Sequence, residues 1–82
     1  MGGNYGNPIC LVYECVGYGK QEIATYDKLN LRDSLGKAAK RMGIPISRIN
    51  EVQYRYVTLN LHTTAMDNNI PNGGVLLIKL KS

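Results

Sequence analysis

The chain has 82 residues, 44% of them hydrophobic and 20% charged, with a formal net charge of +4. That is enough chain for one domain with a small core, and the composition is that of an ordinary soluble globule. No apolar run approaches the ~18 residues of a membrane span, and no signal peptide opens the sequence, which excludes membrane insertion and predicts a cytoplasmic protein.

Residues 1–8 are Gly- and Asn-rich and read as a flexible lead-in to a domain over 9–82. Ile9 to Val16 is a β-branched and aromatic strand with Leu11, Tyr13 and Cys15 on one face. Cys10 and Cys15 fall on opposite faces of this strand, roughly 16 Å apart. A disulfide needs Cα atoms within about 7 Å, so they do not pair, which fits a reducing compartment. Gly17-Tyr-Gly-Lys20 is a turn, and Gln21 to Tyr26 completes an antiparallel hairpin.

Asn30 then caps a helix, with Asp33 reaching back to it as in a capping box. Leu31, Leu35, Ala38, Ala39 and Met42 share one face, and Gly43 and Pro45 stop the helix. Gly36 costs up to about 1 kcal/mol inside a helix, and close approach to the sheet is its expected use. Glu51 to Val57 alternates as a third strand, with Val52, Tyr54 and Tyr56 facing the helix and Gln53 and Arg55 facing out. Leu59 and Leu61 lie on a short extended stretch. After the Pro-Asn-Gly-Gly turn, Leu76, Ile78 and Leu80 face the core, while Leu77, Lys79 and Lys81 face outward.

One helix on one face of a mixed sheet is an α+β layer. A right-handed crossover puts the post-helix strand beyond the first strand, away from the second, and the last strand fills the gap between them. The predicted order, numbered along the chain, is 2-1-5-3-4.

From Ile9 to Lys81 the chain resembles the ubiquitin-like, or β-grasp, superfamily. The residues that carry the resemblance are the hairpin with Gly17 and Lys20, the Gly43-Ile44-Pro45 after the helix, the strand from Val52 to Val57, and Asp67-Asn-Asn-Ile70 before the last strand. Ubiquitin too has Gly-Ile-Pro after its helix and a similar Asp, Asn, Ile loop. Conjugated modifiers and sulfur carriers end in a flexible Gly-Gly. Here Lys79-Leu-Lys-Ser82 closes the sequence, and Gly73-Gly74 sits in a turn, so conjugation and thiocarboxylate chemistry are not expected. The layout is similar to that of stand-alone bacterial or phage ubiquitin-like proteins such as the YukD- and EsaB-like group, which is linked to type VII secretion.

The resemblance maps ubiquitin's partner-binding patch onto Gln53, Leu77 and Lys79. Only Leu77 is apolar, so a partner other than the usual ubiquitin receptors is expected. With Arg55 added, these residues are the predicted contact set of a non-catalytic protein-interaction module, an accessory component of a secretion or multiprotein system. Docking would use this face, or strand addition at the edge of the second strand. Two alternatives stand beside it. One is a nucleic-acid-binding module, suggested by basic residues near tyrosines, although alternation turns the Tyr54 and Tyr56 rings away from Arg55. The other is a small non-catalytic subunit of a multicomponent enzyme. The single histidine, His62, reads as an exposed loop residue, and Asp33 and Asp67 do not form a matched carboxylate pair. No catalytic residue, metal or cofactor is predicted, and the expected state is a monomer or weak dimer.

Overall fold

The computed structural model describes residues 4–82. Its strands are β1 (Pro8–Cys15), β2 (Gly19–Tyr26), β3 (Ile49–Tyr54), β4 (Val57–Thr58) and β5 (Val75–Leu80). One helix, α1 (Leu31–Met42), and a 3-10 turn (Ile46–Arg48) lie between β2 and β3. The sheet order is β2-β1-β5-β3-β4, as the crossover argument requires. The β1–β5 pair is parallel, with Tyr13 opposite Leu76, and the other pairs are antiparallel. Of the lead-in expected over 1–8, residues 1–3 lie outside the described residues. The Tyr5 and Asn7 carbonyls accept the Lys28 and Asp27 amides, and β1 begins at Pro8.

The inner sheet face carries Leu11, Tyr13, Cys15, Ile23, Val52, Leu76 and Ile78, all buried, against Leu31, Leu35, Ala38 and Ala39 of α1. Burial pushes the Cys15 thiol pKa up, and Cys10 lies on the opposite face; both are free. The Tyr13 hydroxyl lies 2.7 Å from Ser34 Oγ and donates toward the Leu31 carbonyl at 3.3 Å, a polar bridge from strand to helix inside the core. Desolvation pushes the Tyr13 pKa up to about 12, the Ser34 hydrogen bond partly opposing it. A raised folded-state pKa means that the unfolded chain releases this proton first as pH climbs. Stability is therefore complete below about pH 10 and falls by roughly 2–3 kcal/mol between about pH 10 and pH 12. Urea titrations across that range should show the step in the parent. In Tyr13→Phe the step should shrink by that amount, and an unchanged profile would refute the assignment.

Thr25 also faces inward and is buried, and its Oγ1 has no hydrogen-bond partner. An unpaired buried hydroxyl costs about 1–3 kcal/mol, and valine matches threonine in shape. Thr25→Val is expected to raise the unfolding free energy by about 1 kcal/mol or more in urea titration. A loss would mean that the hydroxyl is satisfied by water.

Four local expectations need correction. Asn30 precedes α1 but makes no side-chain cap, and Asp33 does not reach back; its carboxylate faces Lys37 Nζ at 3.6 Å. The backbone does the capping instead, because the Leu31 and Arg32 amides donate to the Thr63 and Leu61 carbonyls. Gly36 does not bring the helix close to the sheet: a Cβ there would meet nothing within 4 Å. The third strand ends at Tyr54 rather than Val57. The short fourth strand is Val57–Thr58 rather than the stretch around Leu59 and Leu61. At the other end of α1 the expected stop holds. Gly43 is left-handed (φ 74°), and the Ile44 amide returns to the Ala39 carbonyl. Gly74 is a true close approach, since a Cβ there would stand 2.6 Å from Ile70 Cγ2.

The edge of β2 is partly closed. Val12 donates to the Gly74 carbonyl, so its pairing with Glu22 is a non-hydrogen-bonded one, and the Glu22 carbonyl points away from β1. Arg41 Nη1 from α1 donates to that carbonyl at 3.1 Å. Lysine and arginine at an open edge oppose strand addition. Arg41→Ala is expected to increase self-association in sedimentation velocity as concentration rises. A variant that sediments like the parent at every concentration would show that the arginine does not guard the edge.

Candidate functional site

The outer sheet face is built by the alternate residues of the central strands. In β1 these are Val12 and Glu14, in β5 Val75, Leu77 and Lys79, and in β3 Glu51 and Gln53. Register aligns Glu14, Leu77, Gln53 and Thr58 in one row across four strands. Glu51 organises the neighbouring positions, its two oxygens accepting from Gln53 Nε2 at 3.1 Å and Thr58 Oγ1 at 2.7 Å.

The β3–β4 connection is a two-residue hairpin, Arg55-Tyr56, between Tyr54 and Val57. Both residues have positive φ, 52° and 69°, the left-handed pair of a type I′ turn. That turn normally takes Asn and Gly, because a Cβ in this conformation costs roughly 1–2 kcal/mol per residue. The turn ends the strand three residues earlier than simple alternation predicts. As a result, Tyr56 does not pack under the helix and is 95% exposed. Arg55 is not a strand residue, and its guanidinium lies 5.4 Å from the centroid of the half-buried Tyr54 ring.

Three of the four predicted contact residues come together. Gln53, Arg55 and Leu77 line one shallow depression of about 240 Å³ with Glu14, Tyr56 and Val75. Lys79 lies apart, exposed and in register with Glu51. Sequence reasoning missed Tyr56 and Val75. With Leu77 they give the depression an apolar rim, Val75 being 46% exposed. The alternation that assigned Leu77 outward also assigns Val75 outward, so that signal was present. The turn that exposes Tyr56 and Val57 carries none of its usual residues.

Among the described residues, no group of three or more His, Cys, Asp and Glu could hold a metal ion. No helix there is long and apolar enough to cross a membrane. His62 is exposed, in the loop after β4.

No protein-family model matches the chain, and no curated protein does. Among the solved structures that match it is a protein designed de novo on the basis of ubiquitin, at 19% identity with a TM-score of 0.79, covering 92% of this chain and 90% of that one. At that identity the likeness is one of fold, and the five-stranded sheet with its single helix is the ubiquitin-like β-grasp fold.

Proposed function

We propose that the protein is a non-catalytic interaction module that docks a protein partner on its outer sheet face, around the Arg55-Tyr56 turn. The observation that carries this reading is the turn itself. Two non-glycine residues are held in the left-handed region, and the second of them is an almost fully exposed tyrosine. Strain of this kind is retained where the side chain it presents has a use. Tyrosine and arginine are the side chains enriched at the centres of protein interfaces. Val75 and Leu77 supply apolar area beside them, and Glu14, Gln53 and Lys79 a mixed polar border. In its finer form the proposal is a stand-alone bacterial or phage protein, similar to the YukD- and EsaB-like group, serving a secretion or multiprotein system from the cytoplasm.

A second reading, nucleic-acid binding, draws on one observation. Arg55 stacks on Tyr54, with the exposed Tyr56 ring beside it, hardware that can stack bases. Glu14 in the same depression and Glu51 nearby oppose a phosphate backbone, so we favour the protein partner.

Affinity capture from the native lysate, at low and moderate salt, separates these readings, with the parent and Tyr56→Asn as baits. Asparagine tolerates the left-handed turn, so the variant keeps its fold. A defined protein that survives moderate salt and is lost with the variant is the expected result. Recovery of nucleic acid that washes off with salt would favour the second reading. Equal recovery by both baits would place docking elsewhere.

A further inference from the structure

A groove lies on the helical side of the sheet, away from the outer face. Leu35 and Gly36 of α1, Ile46 of the 3-10 turn, and Leu61 of the loop after β4 form its apolar floor and wall. Arg32 and His62 stand at its rim, and its volume is about 330 Å³.

We propose that this groove receives an apolar side chain flanked by a carboxylate, from an acidic–apolar segment of a partner protein. The first support is Gly36. Glycine is a poor choice in mid-helix, and nothing crowds the position, since a Cβ would meet no atom within 4 Å. What glycine does there is keep the floor low, and a larger side chain would stand in the groove.

The second support is charge. The one ion pair among the described residues joins Asp33 to Lys37, which leaves the Arg32 guanidinium with no carboxylate partner there. No acidic residue lines the groove. The anion would not sit on the helix end, because the Leu31 and Arg32 amides are already used by Thr63 and Leu61. It would sit on the guanidinium, whose planar fork suits a carboxylate, with the His62 ring as a neighbouring polar group.

The third support is rigidity. Those two backbone bonds pin the Leu61–Thr63 loop to α1, and Asn60 Oδ1 accepts the His62 amide at 3.0 Å, so the wall stands ready-made. The groove is near the lower size limit of small-molecule pockets, and Ile46 in its wall is 54% exposed. That shape suits a side chain projecting from a partner's backbone better than an enclosed metabolite.

The test is a ¹H–¹⁵N NMR titration of the intact protein with acetyl-Asp-Leu-Leu-Asp-amide. The basic peptide acetyl-Lys-Leu-Leu-Lys-amide and decanoate serve as comparisons. The expected result is saturable shifts at Leu35, Gly36, Ile46, Leu61 and His62 with the acidic peptide. Gly36→Leu and Arg32→Gln should each weaken that binding by about tenfold or more, and Gly36→Ala should leave it largely intact. If Gly36→Leu fails to fold, the exposed Arg32→Gln decides alone. Tyr56→Asn should bind the peptide like the parent, which separates this site from the outer face. Absence of saturable shifts, equal binding of the basic peptide, binding of decanoate alone, or full affinity in Arg32→Gln would each overturn the proposal.

Discussion

Leu76→Ala is expected to lose about 3–5 kcal/mol of folding free energy, a large part of the roughly 4–12 kcal/mol that a chain of this length holds. Leu76 is fully buried in β5, the strand between β1 and β3, and it lies opposite Tyr13 in the parallel register. Its removal leaves a cavity among strands that are held on both sides and cannot close over it. The midpoint of urea unfolding should fall with little change in slope, and the melting temperature should fall by more than about 10 °C. Leu77→Ala is the internal comparison. Leu77 is the next residue on the same strand but faces outward and is half-buried, so its loss should be about 1 kcal/mol. Similar losses at the two positions would contradict the assignment of the faces.

The second large effect has opposite signs in stability and binding. Replacing Arg55 by Asn together with Tyr56 by Gly supplies the residues that a type I′ turn prefers. It should relieve strain worth about 1–2 kcal/mol in thermal or urea unfolding. The same change removes the guanidinium from the Tyr54 ring and the exposed phenol from the apolar rim. If these are the central contacts of the docking face, affinity for the captured partner should fall by about 2 kcal/mol or more, near thirtyfold. A variant both more stable and equally tight in calorimetric titration would show that the strained turn is an accident of the hairpin rather than a presentation device.

The sheet was legible because its determinants are local and repetitive. Alternation placed Leu11, Tyr13, Leu76 and Ile78 inward, and the fixed hand of the crossover then left one consistent strand order. Gln53 and Leu77 followed from the same alternation, and their meeting in one row is a matter of register. Arg55 and Tyr56 were misplaced because hairpin turns announce themselves through Gly and Asn. This turn is held instead by its flanking strands, and its residues continue the alternation. Asn30 looked like a cap because capping residues are read from the helix end alone. The Leu31 and Arg32 amides at that end are taken by carbonyls some thirty residues downstream, Thr63 and Leu61, which no local window contains. Gly36 was read through the commonest use of helical glycine, close packing, whereas this one faces open space.

The position of β5 has a consequence for how the molecule comes into being. A nascent chain leaving the ribosome can form the β1–β2 hairpin and then α1 from neighbouring residues. The hairpin's far side and the β3 edge away from β4 have no partner until Val75–Leu80 emerges and inserts between them. The pairing of Val12 with Val75 joins distant parts of the chain, and contacts of such high order form slowly. Until they form, Leu11, Tyr13 and Val52 flank a slot with two unsatisfied strand edges, the kind of species that associates with its neighbours. Folding of this domain therefore waits for its last strand. Ribosomes stalled short of residue 75 would display an open sheet that no downstream residue has yet sealed.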